Sequence, residues 1–189
     1  MNEEIDMIHI HTLETPRLRL RQWRSDDYPI FARLNADTET MRYFPATLST
    51  AQSNAIAQRC RELIAQRGWG FWAVEEKSSA SFLGFIGLHV PEDPLPFSPC
   101  VEVGWRLLRS SWGQGLATEG AKAALGFAFH QLQLKEVVAF TALPNLRSQR
   151  VMQKLGMTRD EQTFQHPAVP LGHALREHCL YRAVPQPLP

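Results

Sequence analysis

The chain has 189 residues, 44% of them hydrophobic and 21% charged, which fits one domain able to bury a sizeable core and excludes a disordered chain. No apolar run approaches the roughly 18 residues that would cross a bilayer, and the opening stretch Met1–His11 carries three acids and no Lys or Arg, unlike a signal peptide. A net charge of +1 argues against nucleic acid or a membrane surface as partner.

In chain order, Leu18–Trp23 reads as a strand, with Leu18 and Leu20 alternating with Arg19 and Arg21. Ser25 is placed to cap a helix running to about Asn35, and Asp26 and Asp27 suit the positive end of its dipole. A second helix spans Thr50–Arg67 and stops at Gly68. Gly70–Glu75, Phe82–Val90 and Cys100–Leu108 read as strands. The last two are separated by Pro-Glu-Asp-Pro-Leu-Pro-Phe-Ser-Pro, whose four prolines make it a loop. From Leu116 to Leu132 apolar residues recur at about 3.6 residues, the mark of a helix packed on one face. Val137–Ala142 is a buried strand, Ser148–Leu155 a short helix closed by Gly156, and 157–164 and 177–183 the last strands. Strands dominate the middle and helices are interspersed, so the class is α/β or α+β. Residues 15–181 form the expected core of a single domain over 1–189, with 1–13 and 184–189 as loose ends. Cys60, Cys100 and Cys179 are too scattered for a disulfide framework and suit a reducing cytoplasm.

The most informative segment is Val101–Phe129. A strand runs into Gly113-Gln114-Gly115 and a long helix begins at once. Glycines let the backbone approach a ligand closely, and the amides opening a helix carry partial positive charge, which makes an anion site. A phosphate-binding P-loop would require a lysine that is missing here. The dinucleotide fingerprint would need glycine where Thr118 stands, and an acid where the next strand ends in Thr141 and Ala142. A plain strand–helix connection is the remaining alternative. Charge is uneven around this segment. Trp105–Asp160 holds eight basic and three acidic side chains, a net +5, which leaves −4 on the rest. The basic excess suits a small anionic ligand; the acidic remainder points weakly to a cationic second substrate.

Beyond the long helix come Val137–Ala142 and then Leu-Pro-Asn-Leu-Arg-Ser-Gln-Arg-Val-Met-Gln-Lys-Leu-Gly-Met, residues 143–157. Strand, glycine turn, helix, strand, Asn-x-x-Ser and a short helix ending in Lys-Leu-Gly-Met together resemble the GNAT superfamily of acyl-CoA N-acyltransferases. The opening Glu14–Trp23 is similar to the first strand of the branch that holds ribosomal-protein alanine N-acetyltransferases. The likeness covers nearly the whole chain. It implies a central mixed, twisted sheet of about six to seven strands with helices on both faces. It also implies acetyl-CoA as co-substrate, no metal, and an amine acceptor: a protein N-terminus or a small amine. The family's pyrophosphate loop, Gln/Arg-x-x-Gly-x-Gly/Ala, is matched by Trp112, Gly113, Gln114, Gly115, Leu116 and Ala117, with Trp112 in place of the first residue. By resemblance the amides of Gln114–Thr118 hold the CoA pyrophosphate, and the backbone near Leu107 and Leu108 pairs with pantetheine. Arg109, Arg147 and Arg150 are candidates to clamp the CoA phosphates, with solvated surface arginines as the alternative. Asn145 and Ser148 match the family's residues beside pantetheine and sulfur. Where the family often has a tyrosine acid this chain has Met152, which has no proton to give. Ser148 is the candidate to take over.

The implied reaction needs a base to free the amine and donors for the developing oxyanion. Glu102 is the candidate base. It stands ahead of the glycine turn and by alternation faces away from Val101 and Val103; an ordinary strand-surface glutamate is the alternative. Ser148 would otherwise be a helix cap. Met41–Pro45 would wall the acceptor pocket, or cap the core. A non-catalytic acyl-CoA-binding module is the alternative function, and monomer or homodimer are both open.

Overall fold

The computed structural model describes Ile8–Pro185. Its strands are β1 (Leu13–Glu14), β2 (Leu18–Arg21), β3 (Phe71–Glu76), β4 (Phe82–His89), β5 (Glu102–Leu107), β6 (Val137–Ala142), β7 (Thr158–Gln165) and β8 (Glu177–Ala183). Its helices are α1 (Asp27–Ala36), α2 (Thr50–Arg67), α3 (Leu116–His130) and α4 (Leu146–Lys154). The strands form one eight-stranded sheet in the order β1-β2-β3-β4-β5-β6-β8-β7. β5 and β6 run parallel, the pair that needs the α3 crossover, and the other neighbours are antiparallel.

Residues alternate across a strand, and residues paired on adjacent strands share a face. Phe71, Phe85, His89, Glu102, Gly104 and Arg106 therefore lie on one face. α1 and α2 cover its β2–β4 side, where Phe31 meets Phe85 at a ring separation of 6.0 Å. Trp72, Ile86, Leu88 and Val103 lie on the other face, under α3. There a Cβ on Gly120 would stand 2.5 Å from Ile86 Cδ1, so any larger residue would have to displace the end of that side chain. The helix that reads as amphipathic in sequence is thus the lid of the back face, and the front face is left to the site.

Most strand ends move by one or two residues from the sequence reading, and four differences have a physical cause. The sheet gains β1, a two-residue strand too short to show alternation, in the stretch taken as a loose end. α1 starts at Asp27 with Asp26 at its cap position, and neither Ser25 nor Asp26 caps it with a side chain. Asp27 instead accepts from Arg24 N at 2.7 Å and pairs with Arg21 at 2.8 Å, which fixes the turn without Ser25. α3 ends at His130, short of Leu132, because Gln133 takes a φ of 54°. α4 begins at Leu146 and its cap is Asn145, which accepts from Ser148 N at 3.3 Å, so Ser148 is inside the first turn rather than at the cap.

Candidate active site

The sheet opens at its centre. β5 pairs with β4 along its whole length but with β6 only at Glu102↔Val138, next to the bond from Val138 N to Val101 O at 2.9 Å. Beyond that point the two parallel strands diverge and leave backbone groups of β5 unpaired on one edge. Leu108 N donates to Leu83 O at 2.8 Å, and Leu107 O accepts from Trp112 Nε1 at 2.9 Å. By alternation the Leu107 N–H and the Trp105 backbone face the opening. Of the two residues expected to pair with pantetheine, Leu107 keeps a free donor there, while the Leu108 donor is spent on β4. A cleft of about 470 Å³ lies between α1 and residues 108–110 at this splayed end.

The glycine turn closes the same end. Gly113 and Gly115 have φ of 74° and 78°, a left-handed conformation that side chains disfavour, and Gly115 is the cap residue of α3. The first turn of any helix leaves its amides without intrahelical acceptors, so Leu116, Ala117 and Thr118 present donors, with the helix dipole behind them. Space fits as well: a Cβ on Gly113 would meet nothing within 4 Å. The turn is braced from the connection between β1 and β2. Arg17 Nη1 donates to Gln114 O at 2.9 Å and Arg17 Nε to Glu119 at 2.7 Å, while Thr15 Oγ1 donates to Glu119 at 2.7 Å. This brace escapes a reading of the sequence, because Arg17 and Glu119 are a hundred residues apart. Trp112, the departure from the family pattern, ties the turn to β5 through its indole N–H, and the Arg147 guanidinium sits 4.6 Å from the Trp112 ring. Arg109 and Arg147 lean toward acids of the loop after α1, 4.0 Å from Asp37 and 3.8 Å from Glu39.

The other arm of the opening carries Asn145 and Ser148. Asn145 Nδ2 donates to Thr141 Oγ1 at 2.9 Å and to Ser148 Oγ at 3.1 Å, which fixes the start of α4 on the end of β6. Met152 is 2% exposed, a core residue. Tyr181 lies near α4, but its hydroxyl donates to Gln149 at 3.2 Å within the core.

On the front face, Glu102 sits at the apex where β5 and β6 part. Its position is half-buried, and burial, reinforced by the negative charge of Asp93, pushes its carboxyl up to about 8. A carboxyl at that level is a competent base at neutral to alkaline pH. Aromatic rings lie on the same face. Phe71 stacks on His89 at 5.1 Å on one side, and Phe97, Phe140 and Phe164 cluster at 5.0 to 5.9 Å on the other. Arg106 lies further along the same face, 4.3 Å from the Phe44 ring and 5.4 Å from the Phe85 ring. Of the loop read as a pocket wall or core cap, Met41 is core, whereas Phe44 is 39% exposed and covers Arg106. The structure thus gathers Glu102, Leu107, the glycine turn, Asn145 and Ser148 around one opening. Arg106 and Arg17 are the residues that the sequence left unmarked.

The comparisons with known proteins agree with this geometry. The family model described as an acetyltransferase (GNAT) domain matches residues 17–158. An uncharacterized protein of Bacillus subtilis, YkkB, is 30% identical over 146 residues, 77% of this chain and 84% of its own. An FsC-acetyl coenzyme A-N(2)-transacetylase of Aspergillus fumigatus is 31% identical over 162 residues, 81% of this chain and 67% of its own. Among solved structures, a GNAT-family acetyltransferase from Bacillus anthracis superposes with a TM-score of 0.75 at 22% identity, covering 92% of this chain and 98% of that one. RimL, a ribosomal-protein α-N-acetyltransferase solved with coenzyme A, gives a TM-score of 0.71 at 16% identity, covering 92% and 98%. The front-face carboxyl, the splayed strands and the glycine turn therefore belong to a chain of the GNAT acetyltransferase family, an N-acetyltransferase.

Proposed function

We propose that this protein transfers the acetyl group of acetyl-CoA directly to an amine, with Glu102 as general base. The observation that carries the reading is the Glu102 carboxyl, held at about 8 on the front face at the apex of the splay. The amides of residues 114–118 receive the pyrophosphate, Arg109 a CoA phosphate, and the open edge of β5 at Leu107 the pantetheine. Asn145 and Ser148 flank the sulfur from the other arm. Acetyl-CoA supplies an activated thioester. The amine forms the new C–N bond as the C–S bond breaks, and the electron pair leaves on sulfur. The proton lost by the amine passes to Glu102, directly or through water. Backbone donors on the open edge steady the carbonyl oxygen. A thiol leaves with a pKa near 8.5, so it needs little acid assistance at neutral pH. That is why Met152 in place of a tyrosine is compatible with turnover, and why the Ser148 hydroxyl serves as a hydrogen-bond partner to the sulfur.

The same buried Met152 favours one other reading, an acyl-CoA-binding module without turnover. Thiol release from acetyl-CoA over a panel of peptide N-termini and small amines separates the two. Amine-dependent release that falls about 10²-fold or more in Glu102→Gln is expected. Binding of acetyl-CoA with no amine-dependent release would leave the module.

A further inference from the structure

Arg106 is a cation enclosed without an anion. Among the described residues its guanidinium makes one hydrogen bond, from Nη1 to Asn35 Oδ1 at 2.7 Å, and its Nε is fully enclosed with no partner. No carboxylate among the described residues forms an ion pair with it. The groups packed around it are neutral: Asn35 from α1, the Phe85 ring from β4 and the Phe44 ring from the loop after α1. Cys60 of α2 is a thiol pushed up to about 12 by burial, so it brings no charge. Glu102 lies four residues back on the same strand face, about 13 Å at the usual strand rise, too far to neutralise it. Burial pulls the guanidinium down to about 10, which reflects the same want of an anion. Elsewhere the acids that make the rest of the chain negative are engaged: Glu14 and Glu75 with Arg19, Glu92 with Arg59.

Desolvating a charge without a partner is costly, so a group left this way calls for a partner that the fold does not supply. The unpaired side of Arg106, Nε with Nη2, is the edge of a guanidinium that grips a carboxylate through two parallel bonds. We propose that this edge anchors the acceptor once the Phe44 ring, 39% exposed and lying over the guanidinium, moves aside: the amine that this protein acetylates carries a carboxylate, which pairs with Arg106 while the amine lies toward Glu102. The inference rests on the transferase reading above and specifies its acceptor. The strand spacing sets a length preference, with the amine and the carboxylate at opposite ends of the acceptor. The Phe71 ring, packed over Gly104, gives the acceptor an apolar surface between the two polar ends.

The test compares free acids with their carboxamides. Acceptors are α-amino acids, dipeptides and ω-amino acids from glycine to aminohexanoate, each against the matching amide, with thiol release as the signal. The wild-type protein is expected to favour acids by about 10²-fold in kcat/KM, since an amide leaves the guanidinium unpaired. Arg106→Gln should bring that ratio to within about threefold of unity, through KM for the acid, with acetyl-CoA affinity unchanged; Arg106→Lys should restore part of it. Arg106→Met should raise Tm by a few degrees, because it removes a buried charge and keeps the volume. Equal turnover of acids and amides by the wild type, or an unchanged ratio in Arg106→Gln, overturns the inference. So does binding of acetyl-CoA with turnover of other amines only, or of none. Failure to bind acetyl-CoA would instead remove the transferase reading beneath it.

Discussion

Arg21 and Arg106 are both withdrawn from water in this sheet, in opposite ways. Arg21, at the end of β2, is 6% exposed and meets two carboxylates, Glu75 at 2.7 Å and Asp27 at 2.8 Å. Arg24 and Arg19 complete the set on Glu75, at 2.9 and 3.1 Å. Burial alone would lower the Arg21 guanidinium, but its two acids hold it above the usual range. Arg106, on β5, has one amide oxygen and two rings. The first arrangement is complete within the protein and joins β2, β3 and the start of α1. The second is incomplete, and it lies on the strand that carries Glu102. A buried charge with all its partners holds a fold together; one without them marks where another molecule belongs.

The contrast can be broken from the Arg21 side first, where the effect on stability is largest. Glu75→Gln leaves Arg21 with half its counter-charge and should cost about 3–5 kcal/mol, seen as a Tm lower by roughly 10 °C. Burial tends to raise the Glu75 carboxyl, but Arg21 and its neighbours hold it below the ordinary carboxylate range. Its contribution is therefore present above the unfolded pKa and lost as pH falls through the lowered folded value, so acid melts should flatten in Glu75→Gln.

Glu102 has the opposite sign. Its folded value is raised to about 8, so its stability contribution is intact below the ordinary glutamate pKa of 4.5 and declines as pH rises through about 8. Glu102→Gln should be the more stable protein at alkaline pH and equal to wild type in acid, measured by Tm against pH. Its kcat/KM should lie about 10²-fold or more below wild type at pH 8.5, with the wild-type advantage titrating near 8. A smaller effect is expected at the glycine turn. Gly115→Ala forces a side chain to a φ of 78°, costing about 1–2 kcal/mol by thermal melt. Smallest is Asn145→Ala, which removes the α4 cap for about 1 kcal/mol and loosens Ser148, read as a modest Tm loss with a raised KM for acetyl-CoA.

The sequence made some of this visible for a simple reason: local patterns record local causes. Gly113 and Gly115 announce themselves because only a sharp turn into a helix asks for glycine twice, and Glu102 stands out as a charged residue between two valines in a strand. Helices α2 and α3 are legible from their periodicity and stops. β1 is not, since two residues hold no period, and it forms only because β2 offers it an edge. The role of Arg106 is invisible for another reason. In the chain it is one of eight basic residues in a basic segment. What distinguishes it is the absence of acids around it, a property of packing that no spacing encodes. The brace from Arg17 to Glu119 and the capping of α4 by Asn145 rather than Ser148 are likewise settled by contacts across the fold.

The most direct test of the account is a calorimetric titration of the purified protein with acetyl-CoA and with CoA, beside Gly115→Glu. Both ligands are expected to bind in the micromolar range, and binding is expected to be abolished by the glutamate that places a negative charge at the head of α3, with the fold intact by circular dichroism. Absence of binding to the wild-type protein up to millimolar ligand, or undiminished binding by Gly115→Glu, would contradict it.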